Sequence, residues 1–238
     1  MITIKGNVLT PLMQLALCML GLQSFAEAAI RCERTLVANV VAFDQPMMFN
    51  RLGAQNANGM MFALRRDVVD EHNVSLAQGG AAVPGKVSLR PDKRPRPIVL
   101  RVAAGECLTV NLHNLLAYQA NPNKHLTDEH LDPIVDDQVT DRHVGFQVNG
   151  LQAVNSIDDI SSFTGRNANS LVPPGASRSY TLYAEREGAF AVSSRGATFG
   201  GEGAAGNVAN GLFGQVVVLP KGGRTYRTTL TEEEMRLA

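Results

Sequence analysis

The chain has 238 residues, with 22 Lys and Arg against 22 Asp and Glu, for a formal net charge of zero. That balance argues against an electrostatically driven nucleic-acid binder, and the length suggests one large domain or two small ones. Charged residues are sparse at 18%, there are 22 glycines and no tryptophan, and helical repeats are few, so the expected class is all-β.

Residues 1–28 read as a secretory signal. Lys5 and the α-amine give a thin positive region, Val8–Leu22 is apolar apart from Thr10 and Gln14, and Ser24-Phe25-Ala26 or Ala26-Glu27-Ala28 offers a small-x-small cleavage site. The rival, an uncleaved anchor, is disfavoured because the apolar run is about fifteen residues, short of the ~20 that span a bilayer. Cleavage would remove Cys18 and leave Cys32 and Cys107 in an exported chain, where two cysteines invite a disulfide. Such a bridge would close a loop of about 75 residues and stabilise by roughly 4 kcal/mol. The alternative makes Cys107 an ordinary buried thiol and Cys32 a loose terminal one.

Leu36–Phe43 predicts the first strand and Met60–Arg65 the second, with a loop of Asp44–Asn58 between them. Residues 77–97 are rich in Gly and Pro and carry Lys86, Arg90, Lys93, Arg94 and Arg96 against Asp92 alone. They read as a basic docking patch for an acidic partner or anionic surface or, as the favoured reading, a solvated, proline-stiffened loop leading to the Ile98–Val102 strand. Ile98–Val102 and Cys107–Leu112 predict two neighbouring strands turned by Ala104-Gly105. The long polar stretch Tyr118–Arg142 holds His125 and His130 among many carboxylates, the chain's one concentration of metal-ligand types. Its spacing matches no standard metal motif, so an acidic solvated excursion is the favoured reading. A strand at 144–148 follows, then a long loop, Leu151–Leu171.

Pro173-Pro174-Gly175 is a strong turn. Beyond it, Tyr180, Leu182 and Ala184 alternate with Thr181, Tyr183 and Glu185. The corner Glu185-Arg186-Glu187-Gly188 then predicts a hairpin into Ala189–Ser194. A glycine-rich loop over 195–214 leads to Gly214–Leu219, stopped by Pro220. That loop lacks the G-K-[ST] ending of a phosphate loop. A capping box at Thr231–Glu234 predicts a short C-terminal helix.

The order PPG…SYTLY…EGAFAVSS…GLFGQVVVLP resembles the end of a cupredoxin domain in multicopper oxidases, and Gly105–Asn114 resembles that family's G-D-x-L-x-V-x-x-x-N strand. The resemblance covers roughly residues 36–220. It implies a cupredoxin-like Greek-key β-sandwich with long loops, like the first domain of a multicopper oxidase, the large manganese-oxidase-like type included. The expected layout is a signal at 1–28, a cupredoxin-like domain at 29–222, and a linker or short helix at 223–238.

The resemblance also implies where copper ligands would stand. The family's H-x-H-G and H-S-H histidines fall on Gln147, Asn149, Ser193 and Arg195, none of them histidine. Amide oxygens are poor partners for copper, and a guanidinium is a fixed cation with no lone pair. The expectation is therefore an exported domain with no cofactor of its own, structural or truncated from an oxidase, with other cupredoxin domains or copies of itself as partners. Two alternatives stay open: part of an active copper oxidase whose ligands lie in other domains or chains, and a self-assembling or metal-binding module, the metal held through His125 and His130.

Overall fold

A computed structural model describes residues 30–56, 58–119, 142–156, 160–161, 166, 168–196 and 206–223. All the elements below lie in the compact unit Arg31–Ala238. The strands are β1 (Thr35–Asp44), β2 (Met47–Met48), β3 (Gln55–Asn56), β4 (Met60–Leu64), β5 (Val68–Asp70), β6 (Val87–Leu89), β7 (Ile98–Ala103) and β8 (Cys107–Asn114). They continue with β9 (Gln147–Val148), β10 (Gln152–Ala153), β11 (Ser177–Tyr183), β12 (Gly188–Ser193) and β13 (Phe213–Leu219); one helical turn, α1 (Gly206–Ala209), precedes β13.

Two sheets form the sandwich. Sheet I runs β10-β11-β8-β1-β4, and sheet II runs β7-β13-β12-β9. Each holds one parallel pair, β1 with β8 and β7 with β13, among antiparallel neighbours. Strand alternation explains the core. In β8, Leu108, Val110 and Leu112 point inward while Thr109, Asn111 and His113 are half-buried on the other face. Tyr180 on β11 is fully buried and its hydroxyl donates to the Ser170 carbonyl at 2.7 Å. Phe62 and Phe146 meet edge to face at 5.3 Å in the same core.

β1 departs from alternation because it is covered on both faces. Val40 and Ala42 join the inter-sheet core, whereas Val41 and Phe43 join a second cluster with Met61, Val68, Leu76 and Leu115. The chain from β5 to β6 thus roofs the outer face of sheet I, which is why residues 40–43 are apolar without a break.

Two predicted pairings are corrected. The strands flanking Ala104-Gly105 are not neighbours: β7 belongs to sheet II and β8 to sheet I. Likewise, Glu185–Gly188 is not a hairpin, since β11 pairs with β8 and β10 while β12 pairs with β13 and β9. Both corners carry the chain across the sandwich, because both flanking strands must bury an apolar face against the other sheet. The strand expected at 144–148 is shorter, with Val144 making only an isolated bridge to Val172. The three expected loops at 44–58, 77–97 and 151–171 contain short strands, β2 and β3 in the first, β6 in the second and β10 in the third, and the glycine-rich loop contains α1. The expected C-terminal helix from Thr231 lies outside the described residues.

The N-terminal segment is fastened to this body by Cys32–Cys107, a disulfide with a Cα–Cα distance of 5.3 Å that closes 75 residues of separation. Backbone hydrogen bonds from Glu33 to Gly105 and from Cys107 to Arg34, and an Arg34–Glu106 ion pair at 2.7 Å, secure the same place.

Candidate functional site

β9 and β12 pair antiparallel, with Val148 opposite Val192 and Gln147 opposite Ser193. Both valines are core residues, so the period of two sends Gln147, Asn149, Ser193 and Arg195 to the outer face of sheet II. Four positions singled out in sequence, 46 and 48 residues apart for the closest contacts, thus come together. Arg195 Nε donates to Gln147 Oε1 at 2.7 Å, and its Nη2 lies 3.4 Å from Asn149 Oδ1. The Ser193 hydroxyl is buried and has no hydrogen-bond partner among the described residues.

The backbone beneath is fixed tightly. Asn149 N–H donates to the Ala191 carbonyl at 3.0 Å, and Gly150 follows at φ +111°. A Cβ on Gly150 would fall 2.4 Å from Phe190 Cδ1, so only glycine fits this turn. Ser194 is turned inward, where its hydroxyl accepts from Gly145 N–H at 3.1 Å and from the Asn207 amide at 3.1 Å. Asn207 also donates to the His143 carbonyl at 2.8 Å, tying α1 to the approach of β9. His143 is half-buried there.

This set does not fit copper. The guanidinium carries a fixed positive charge and holds both amide oxygens on itself. What remains is one neutral hydroxyl, where copper needs imidazole or sulfur. His125 and His130, the other metal candidates, lie outside the described residues; among the described residues no three His, Cys, Asp or Glu side chains cluster to hold a metal. His113, on β8, faces away from this site's sheet; burial first and the Arg65 charge second lower its pKa from 6.5.

Around Arg195 the outer face of sheet II mixes small apolar with polar side chains, with Gln215 lying between Ala191 and Val99 and exposed Arg101 two residues along β7. Ala189 and Ala191 are exposed on β12, Phe213 opposite Ser193 is 41% exposed, and Val99 on β7 is 43% exposed. Sheet I has its roof; sheet II has no comparable cover among the described residues.

Sequence reasoning missed one anchor. Arg142 is buried, pairs with Asp44, and donates from Nε to the Ala117 carbonyl at 3.0 Å. Asp44 in turn accepts from Ala117 N–H at 2.7 Å. The partners are 98 residues apart, and no local pattern marks them.

Two sheets in these orders, each with one parallel pair, define a cupredoxin-like Greek-key sandwich. No family model and no curated protein matches the chain. Among solved structures it is similar to a multi-copper oxidase from Pseudomonas thermotolerans, at 16% identity and a TM-score of 0.42, covering 78% of this chain and 30% of that one. It is also similar to a copper nitrite reductase from Nitrosomonas europaea (16%, TM-score 0.40, 79% and 42%) and to another multicopper oxidase (16%, TM-score 0.43, 82% and 45%). The chain therefore spans less than half the length of each structure.

Proposed function

We propose that this chain is an exported, non-catalytic cupredoxin-like domain that works by packing against another cupredoxin domain or a second copy of itself. The observation that carries the reading is the Arg195 guanidinium bonded to Gln147 and Asn149 where the family resemblance puts copper ligands. The exposed Phe213 and Val99 on the same uncovered face supply apolar surface for packing. Export is supported by the signal-like start and by the Cys32–Cys107 bridge, a bond of oxidising compartments. Among the described residues no helix is long and apolar enough to cross a membrane.

The same face favours a second reading, in which the domain is a piece of an active copper oxidase and a partner packed on sheet II carries the ligands. Metal analysis and light scattering on the purified chain test both. The first reading expects no copper after dialysis against a copper salt and a mass above one chain, or complex formation with an added cupredoxin domain. Stoichiometric copper in the isolated chain sinks it.

A further inference from the structure

β4 and β7 are the edge strands of their sheets, and they touch on the same side of the sandwich. The seam there is open. A cleft of about 520 Å³ lies between β4, the 90–97 loop and β7, and a second of about 670 Å³ continues it toward β1. The two share Leu64, Arg66 and Arg101, so they form one groove.

Its rim is strongly basic in a chain of zero net charge. Arg90 is engaged with Asp92 at 3.0 and 3.1 Å, and Lys93 stands 3.8 Å from Asp67. Arg66, Arg94, Arg96 and Arg101 form no ion pair with any described residue, and all four are exposed. The floor is apolar, from Leu36, Leu64, Ile98 and Leu100. β7 pairs with β13 alone, so the backbone groups along its other side have no strand partner among the described residues.

We infer that this seam is a docking groove for an extended acidic peptide segment of another protein, which adds along β7 with its apolar side chains on the floor and its carboxylates on the four arginines. Guanidinium groups bind carboxylates in a two-point fork, and a free strand edge recognises extended backbone. A sulfated or phosphorylated polymer would use the charges but leave both the apolar floor and the free edge unused. The 77–97 segment is thus exposed, as a solvated loop is, and also forms one wall of a charged cleft.

The test is fluorescence anisotropy with a labelled peptide of about eight residues alternating glutamate with leucine or valine. Three comparison probes are the same peptide with lysine for glutamate, the same peptide N-methylated at alternate backbone positions, and a heparin fragment. Binding of the acidic peptide that weakens with salt, falls more than about tenfold in the Arg94→Glu/Arg96→Glu variant, and falls again on N-methylation supports the groove. Arg66→Glu, from a different segment, gives an independent repeat, with the fold of each variant checked by circular dichroism. Equal binding of the lysine peptide, binding indifferent to these arginines or to N-methylation, or binding of heparin with neither acidic nor lysine peptide overturns the proposal.

Discussion

Arg195 and Gln147 are joined at 2.7 Å across the β9–β12 pair, so a permanent cation is bonded to an amide oxygen on the outer face of sheet II. The exposed contact adds little to stability: Arg195→Ala is expected to cost about 1 kcal/mol or less in urea unfolding. Its weight is chemical. Replacing Gln147, Asn149, Ser193 and Arg195 together by histidine should create copper binding, read by titration and the visible spectrum of copper(II). The three-histidine variant that retains Arg195 should bind far more weakly. Equal binding by both would show that the guanidinium is not what excludes the metal.

The Cys32–Cys107 bridge closes the longest covalent loop in the described fold and ends on a fully buried residue of β8. Cys32→Ala with Cys107→Ala is expected to lower stability by roughly 4 kcal/mol, visible as an earlier denaturant midpoint. The single variant Cys32→Ala should cost nearly as much, since the bridge and not the packing of Cys107 dominates.

Arg142 is only 7% exposed, and its removal leaves Asp44 and the Ala117 carbonyl without their charged partner. Arg142→Ala is therefore expected to cost about 3 kcal/mol, measured by urea unfolding. Asn114 holds the neighbouring backbone by donating to the Arg142 and Val172 carbonyls at 2.7 and 2.8 Å. Asn114→Ala should destabilise by a further 1–3 kcal/mol or so through those orphaned carbonyls.

Acid should act in two stages. The His113 pKa lies below 6.5 in the fold, because burial and Arg65 oppose its charged form, so the unfolded chain binds that proton first and stability falls as pH drops below 6.5. The Asp70 carboxyl accepts from the N–H groups of Ala81, Val74 and His72 at 2.9 Å each, which holds it below 3.8. That contribution is present above 3.8 and is lost as pH falls toward the lower folded value. Urea midpoints followed with pH should show both slopes; His113→Gln should flatten the first and Asp70→Asn the second.

Most strand positions were legible because the strand buries one face, and alternation such as that of Cys107–Asn114 records it directly, while β1 was legible through its unbroken apolar run at 40–43. Sheet membership was not. A tight corner such as Glu185–Gly188 has the same composition whether it folds a strand back or carries it across the sandwich, and only Val216 and Val110, far away in sequence, decide between them. The short strands β2, β3, β5, β6 and β10 have two or three residues each, too few for a period to emerge. The site was legible as two i, i+2 pairs from the family resemblance. Its internal bonding, with Arg195 turned onto both amides, depends on the register that sets Ser193 opposite Gln147 and could not be read from spacing.

The parallel pairing of β7 with β13 sets an order of assembly. Ile98 aligns with Gly214 and Ala103 with Leu219, so the first strand of sheet II has no neighbour until the last one has been made. Contacts of such long sequence separation fold slowly. A nascent chain stopped anywhere before Phe213 would hold β7 with both edges unpaired, a ribbon prone to aggregate until β13 emerges.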